Sequence, residues 1–316
     1  MHKRLVNYCK IELTLTPLSP ILIKSGKEGA DPTKPDMEFV ETYHSGGRSI
    51  YLPGSSLKGA IRAHAERIVR TVGREKRPDD PKKLWANDPI HDDYKYLEKK
   101  DPPDIYRLSS FTDQMFGNTA IASRIRIKDA YPVNVKEIKL SERNGVAIDR
   151  MFGSVIKGGL FNYQVCTAGE FKTEIHLKNF TLAQLGLIGL VLRDLDEGWF
   201  GIGYAKSRGL GLVEVELNSA VVQYPGCVMK NNEICLLGGS KKWSNTKLLG
   251  VGTFLETNEA NSYGFSTNDE EETPIAAQDM DLGFGVQLIW QGEVQVKDLF
   301  NRSVKAWKRK VEREAA

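Results

Sequence analysis

The order of hydrophobic patterns predicts an α+β chain with a split β-α-β core: strand, helix, strand, a long hairpin ending in a strand, helix, strand. Three observations carry that prediction. KIELTLT at 10–16 and LVEVEL at 212–217 alternate polar and apolar residues with β-favouring side chains, as half-buried strands do. Leu57, Ile61, Ala65, Ile68 and Val72 recur at helical steps, and Leu182, Leu185, Ile188, Val191, Leu192 and Leu195 make a second, wider apolar surface. Between those helices, SRIRIKD at 123–129 and EFKTEIHL at 170–177 supply two further strands.

The elements follow in order. After the first strand, SGKEGADPTKPDMEFVE (25–41) is a loop rich in glycine, proline and charge that ends in a short extended piece. YLPGSSLKG (51–59) opens the first helix, with Ser55 or Ser56 as its N-cap and Gly73 as its stop. Residues 74–106 are charged and proline-rich, as expected of an insertion on the outside of the core. From 136 to 176 the glycine-punctuated pattern predicts a long hairpin. Thr181 and Gln184 form a capping-box pair at the start of the second helix, which stops at Gly198. The wide apolar surface of that helix requires cover on more than one side.

The organisation expected is a core over 1–220, carrying the 74–106 insertion and the 136–176 hairpin, then a C-terminal extension over 221–316 of unknown role. The extension ends in a helix with Phe300, Val304, Trp307 and Val311 on one face and Lys305, Lys308, Arg309 and Lys310 around it, the pattern of an amphipathic helix docked on the core.

Composition narrows the classes. Hydrophobic residues make up 41% and charged residues 27%, the balance of a globular chain. The longest apolar run, LGLIGLVL at 185–192, is far short of the ~18–20 residues that span a bilayer. Cys9, Cys166, Cys227 and Cys235 are scattered, with no zinc-ligand spacing, so a cytoplasmic protein with free thiols and no membrane partner is expected. Net charge is only +3, yet Lys58, Arg62, Arg67, Arg70, Arg74, Lys76 and Arg77 are opposed locally by just Glu66 and Glu75. The alternative for each of them is a solvated helix face.

Two segments carry chemistry. A helix N-terminus presents unpaired N–H groups and partial positive charge, so Lys58 in the first turn is disfavoured unless an anion sits above it. Backbone N–H groups, the two serine hydroxyls and Lys58 together suit a phosphate; the alternative is an ordinary capped helix. GIGYAKSRGLG (201–211) combines closely spaced glycines with Lys206 and Arg208, which suits a phosphate chain or, alternatively, a tight turn between a helix and an edge strand. It matches neither a Walker loop nor a dinucleotide fingerprint.

YLPGSSLKGAIR (51–62), NGVAIDRMFGSVIKGGLFNYQVCTAGEFKTEIHL (144–177) and GIGYAKSRGLGLVEVE (201–216) together resemble the signature regions of the RAMP superfamily, most closely the backbone subunits of type III CRISPR effectors that line up along a guide RNA. The resemblance covers roughly the first 220 residues. It implies a ferredoxin-like core, similar to RNA-recognition motifs, with a β-hairpin thumb. It implies contacts to guide-RNA backbone from Ser55, Ser56, Lys58, Arg62, Lys206 and Arg208, and a thumb motif at Ile148, Asp149 and Arg150 that wedges into the guide–target duplex. Other subunits of the complex and a complementary target RNA are the further partners implied.

Several such subunits cleave target RNA with an aspartate in the loop before PGSSLKG. Asp36, followed by Phe39 and Val40, matches that pattern, and Asp31 is the competing assignment. The implied activity is that of a divalent-metal-dependent endoribonuclease, with Mg2+ or Mn2+ held at Asp36. The alternatives are a noncatalytic backbone subunit and a turn aspartate with no chemical role. A standalone guide-processing ribonuclease of the superfamily usually depends on a histidine-centred site, and only five histidines, none clustered, argue against one here. His44 is the single histidine near this loop.

Overall fold

The computed structural model describes residues 4–26, 35–44, 47–88 and 93–315. The chain begins with β1 (Tyr8–Pro17), a small hairpin of β2 (Glu41–His44) and β3 (Gly47–Ile50), and helix α1 (Gly54–Val72). Two short helices, α2 (Pro102–Leu108) and α3 (Asp113–Phe116), precede β4 (Ile125–Ile127) and β5 (Tyr131–Pro132). The long hairpin pairs β6 (Lys139–Ile148) with β7 (Val155–Ala168), and β8 (Phe171–Lys178) returns the chain to the core. Helix α4 (Leu182–Asp196) and β9 (Val213–Tyr224) follow. After them come β10 (Cys227–Lys230), β11 (Glu233–Leu236), β12 (Lys242–Ser244), β13 (Lys247–Leu249), α5 (Thr257–Tyr263), β14 (Glu270–Glu272), β15 (Gln278–Asp279), β16 (Val286–Gln291) and α6 (Gly292–Ala315).

The main sheet runs β15-β16-β9-β1-β8-β4, with β5 also on β8, and its pairings are antiparallel. Within it, β9-β1-β8-β4 with α1 and α4 is the ferredoxin-like arrangement, so the predicted α+β class stands. Along β1, Cys9, Ile11, Leu13 and Leu15 are buried beneath the helices, while Tyr8, Lys10 and Glu12 alternate onto the open face. Because β9 lies between β1 and β16, it is an interior strand and not the edge strand of the alternative reading of the glycine-rich loop.

Helix α4 starts as its sequence predicts. The Thr181 hydroxyl accepts from the Gln184 amide at 3.2 Å, and the Gln184 side chain accepts from the Thr181 amide at 3.1 Å. Its wide apolar surface is covered on one side by the sheet and on the other by α6, each fully buried leucine contributing about 1.5–3 kcal/mol. Gly186 and Gly189 make that second contact close: a Cβ at Gly186 would lie 2.5 Å from the Ser303 carbonyl, and one at Gly189 would lie 2.6 Å from the Phe300 ring. The C-terminal segment therefore belongs to the same sheet and core, through β16 and α6.

Helix α1 differs from its pattern at two points. Val72 is 44% exposed, whereas His64, Glu66 and Val69 are buried. The face turns because Glu66 sits in an ion network with Arg62 and Arg70 instead of facing water. The 74–106 insertion is also less peripheral than its composition suggests. Leu84, Trp85 and Ala86 are buried through the bonds Arg74 N–H to Leu84 O and Ala86 N–H to Arg74 O, and Tyr106 packs with Tyr263 and Phe265 of the C-terminal segment. No helix among the described residues is long and apolar enough to cross a membrane.

The start of α1 rests on one close approach. A Cβ at Gly54 would lie 2.3 Å from the Ile127 carbonyl oxygen, whereas one at Gly59, in the same helix, meets nothing within 4 Å. Gly54→Ala is expected to destabilise the fold by about 1–3 kcal/mol through overpacking. Gly59→Ala is expected to stabilise it by about 0.5–1 kcal/mol through helix propensity. Paired denaturant titrations check both signs.

Candidate functional site

Helix α1 begins two residues earlier than a cap at Ser55 would place it. Pro53, with φ −59° and ψ 132°, is the N-cap, and no side chain of the helix caps it, so Ser55 and Ser56 are not the cap. The Gly54 amide instead donates to Asp129 Oδ1 at 2.7 Å, across from the segment between β4 and β5. This relieves the serine hydroxyls of capping, and the amides at the second and third helical positions, those of Ser55 and Ser56, have no intrahelical acceptor. Ser55 is exposed and Ser56 half-buried. The first turn contains no acid. Lys58 donates to Ser123 Oγ at 3.0 Å, and burial, then the Arg62 charge, hold its ammonium below the ordinary lysine value. Such a cation gains from an anionic partner.

Arg62 is used inward. Its Nε donates to Glu66 at 2.8 Å, one terminal nitrogen to Gly117 O at 2.9 Å and the other to Asp113 at 2.7 Å. Its guanidinium joins α1 to the turn after α3, unlike Lys58 one turn earlier.

The glycine-rich loop is a folded strap. Lys206, Ser207 and Arg208 form a single 3-10 turn between Ala205 and Gly209, both left-handed at φ 55° and 80°, and all three side chains are exposed. Gly203 and Gly211 are required by close approach as well as by positive φ: a Cβ would lie 2.3 Å from Leu22 O and 2.2 Å from Ile202 O respectively. The strap is anchored by Tyr204 N–H to Leu22 O at 2.7 Å and Gly211 N–H to Pro20 O at 2.9 Å. Beneath it, Ile202 and Leu57 line the same small apolar cavity, so helix start and strap share a floor. Tyr204 and Trp199 add exposed aromatic surface, with Arg208 and Arg193 over the respective rings.

Asp36 is exposed and seated on the hairpin. Its amide donates to Asn162 Oδ1 at 2.7 Å, and the Asn162 amide donates back to Asp36 Oδ2 at 2.9 Å. The next residues continue the tie: Met37 N–H to Asn162 O, Gln164 N–H to Met37 O, and Phe39 N–H to the Gln164 side chain. Val40 N–H to Ile23 O and Ser25 N–H to Glu38 O join this loop to the segment that anchors the strap. Asp36, the strap and the root of the hairpin are thus stitched together by backbone hydrogen bonds. Asp31 lies outside the described residues.

At the hairpin tip, Asp149 accepts from the amides of Met151 and Phe152, each at 2.8 Å, and so shapes the turn. The tip presents Ile148, Arg150, Met151 and Phe152 to solvent, Met151 at 83% and Phe152 at 79% exposure. Sequence reasoning missed Asn162, Asp129 and Tyr204. The only signal for Asn162 was a pair of amides, Asn162 and Gln164, alternating with the aromatics Phe161 and Tyr163.

For a divalent cation the described residues offer one carboxylate at the site. Among the described residues no three His, Cys, Asp or Glu side chains form a metal-binding group. Asp36 supplies one carboxylate, which fits an ion of the Mg2+ type held largely by water and by phosphate oxygens of a bound nucleic acid.

Comparison with known proteins accords with this geometry. No curated protein matches the chain. The sequence model of the RAMP superfamily matches residues 14–214, more than half of the 316 residues. That span takes in the Asp36 loop, the start of α1, the long hairpin and the whole strap, so the chain belongs to the RAMP superfamily of CRISPR-associated, RNA-binding proteins.

Proposed function

We propose that this chain is a guide-RNA-binding backbone subunit of a type III CRISPR effector complex and that, within the assembled complex, it cleaves complementary target RNA with Asp36. The observation that carries this reading is the reciprocal Asp36–Asn162 tie, which seats an exposed carboxylate on strand β7 of the thumb, in a loop bonded to the same 20–25 segment that anchors the basic strap. Amides and hydroxyls of Ser55 and Ser56, with Lys58, Lys206 and Arg208, hold phosphates of the guide whatever its sequence, and base pairing supplies specificity. Ile148, Arg150, Met151 and Phe152 at the thumb tip splay one pair of the duplex. Asp36 then accepts from the ribose 2′-hydroxyl of the displaced target nucleotide and orients it for in-line attack on the adjacent phosphate. The 2′-O–P bond forms as the P–O5′ bond breaks, leaving a 2′,3′-cyclic phosphate, while the 2′ proton passes to water and the departing 5′-oxygen takes a proton from water. A divalent cation, Mg2+ or Mn2+, shared by Asp36 and RNA phosphates would neutralise charge that develops on the phosphate.

One observation favours a second reading, a scaffold that binds guide and target without cutting. Asp36 Oδ2 already accepts a backbone hydrogen bond, which is a structural use for the carboxylate. Asparagine preserves that acceptor and removes the charge, so it separates the two readings.

In the catalytic reading, Asp36→Asn and Asp36→Ala both abolish cleavage by the assembled complex while target affinity is unchanged. Asn162→Ala lowers the cleavage rate by about 10²-fold through misplacement of the carboxylate, with little change in target binding. Chelation stops wild-type cutting. Gel-resolved time courses on a labelled target, with Asp31→Ala as comparison, measure all four. Full cleavage by Asp36→Asn would remove Asp36 from the chemistry, and a wild-type complex that binds guide and target with metal supplied but never cuts would leave the scaffold reading.

Phosphate contact makes a separate forecast. Lys58→Ala and Lys206→Ala weaken binding to unrelated RNAs by similar factors and make the log–log salt slope shallower by ~0.7 each. Arg62→Ala instead lowers the thermal midpoint and leaves the slope alone, because its partners are Glu66, Asp113 and Gly117. Salt-series binding curves and melting curves distinguish the two behaviours.

A further inference from the structure

An open groove of about 680 Å³ is lined by His44, Lys128, Asp129, Tyr131, Lys172 and Glu174, among others. Two aromatic rings line it, and a third, Tyr51, stands next to them. His44 stacks on Tyr131 with ring centroids 3.8 Å apart and planes 13° from parallel, and Tyr51 lies beyond Tyr131 at 5.9 Å and 17°. His44 ends β2 and is exposed; Tyr131 and Tyr51 are half-buried. Lys128 and Lys172 stand at the rim with half of each side chain exposed.

We infer that this groove is a binding site for an unpaired nucleotide of single-stranded RNA, the base stacking on the His44–Tyr131 ladder and the flanking phosphates resting on Lys128 and Lys172. The inference rests on the RNA-binding reading above and adds a second kind of contact to it. Parallel aromatic rings beside lysines are the equipment of sequence-tolerant single-strand binding.

The charges sort the nucleotide's parts. The floor of the groove carries Asp129, which accepts from the Gly54 amide at 2.7 Å, and Glu174, which pairs with Lys128 at 2.7 Å. A phosphate is repelled from that floor, while a flat, neutral base is not. Lys172 is 3.4 Å from Glu12, and each lysine ammonium has three donors, so both keep hydrogen-bonding capacity for phosphate oxygens.

The groove is also continuous with the phosphate cradle. Asp129 both lines the groove and holds the first amide of α1, and the bonds between Leu52 and Ala130, at 2.9 and 2.8 Å, fix Tyr51 beside Tyr131. A strand with one phosphate on Ser55 and Ser56 enters the groove with its neighbouring nucleotide.

The test uses the full chain and a 12-nucleotide, mixed-sequence single-stranded RNA containing 5-iodouridine, which crosslinks to rings that it stacks on. Irradiation is expected to join this RNA to the peptides carrying Tyr131 and His44. Tyr131→Leu and His44→Ala are expected to lose that crosslink and weaken binding roughly 10-fold. Their salt slope stays at the wild-type value, since stacking releases no counterions. Tyr131→Phe keeps the ring and should bind as wild type, which separates stacking from damage to the fold; melting curves accompany each variant. RNA that binds wild type with a slope sensitive to Lys58→Ala, yet crosslinks only elsewhere and is indifferent to Tyr131→Leu, overturns the groove and leaves the cradle. Wild-type protein that binds no RNA overturns both.

Discussion

Ile21 and Cys166 exchange two backbone hydrogen bonds, 2.8 Å in each direction, and the site is built outward from that pair. It fixes the segment after β1 against the root of β7. On one side of that segment, Leu22 and Pro20 accept from Tyr204 and Gly211, which places the strap. On the other, Ile23 accepts from Val40, and Met37 continues along β7, which places Asp36. Both cysteine and isoleucine are fully buried, so the pair is shielded from water and keeps its geometry while the exposed side chains around it are free to bind. Rigid backbone beneath and mobile cations above is a division suited to gripping a polymer without reading it.

How much of this was legible beforehand depends on the distance over which each interaction acts. The capping box of Thr181 and Gln184 spans three residues and was read correctly. The α1 start was located but its cap was misassigned, because the partner of Gly54 is Asp129, 75 residues away. The stripe on α1 drifted from Val72 to Val69 because Asp113, from another segment, drew Arg62 and hence Glu66 inward. The tie between Asp36 and Asn162 joins residues 126 apart, and nothing local to either announces it. Likewise β16 shows only a short alternation, and its place beside β9 follows from tertiary pairing. The aromatic ladder was invisible for the same reason, its members coming from β2, the approach to α1 and β5.

A count of basic residues was a poor guide to which cations remain without a carboxylate partner in the core. Of the run that begins at Lys58, Arg62 and Arg70 are consumed by Glu66, Asp113 and backbone carbonyls. Lys206 and Arg208 are exposed, Lys58 bonds to the Ser123 hydroxyl, and Lys128 and Lys172 keep half of each side chain exposed from two other segments of the sequence. What distinguishes these two sets is the buried carboxylate: wherever one is enclosed, it must be paired, and it takes the nearest arginine out of circulation.

The long hairpin carries a liability of its own. The main sheet ends in β15, two residues long, and in β4, three residues long, so neither margin offers a template to another chain. Strand β6 has ten residues and pairs only with β7, which makes its outer margin the longest unshared one among the described residues. Such a margin invites strand addition and aggregation. Here it is blunted by Lys139, Glu142 and Arg143 and by register breaks beside Lys139 and Val146, which twist the ladder away from flat pairing. A long exposed hairpin is thereby given a margin that resists pairing with another chain.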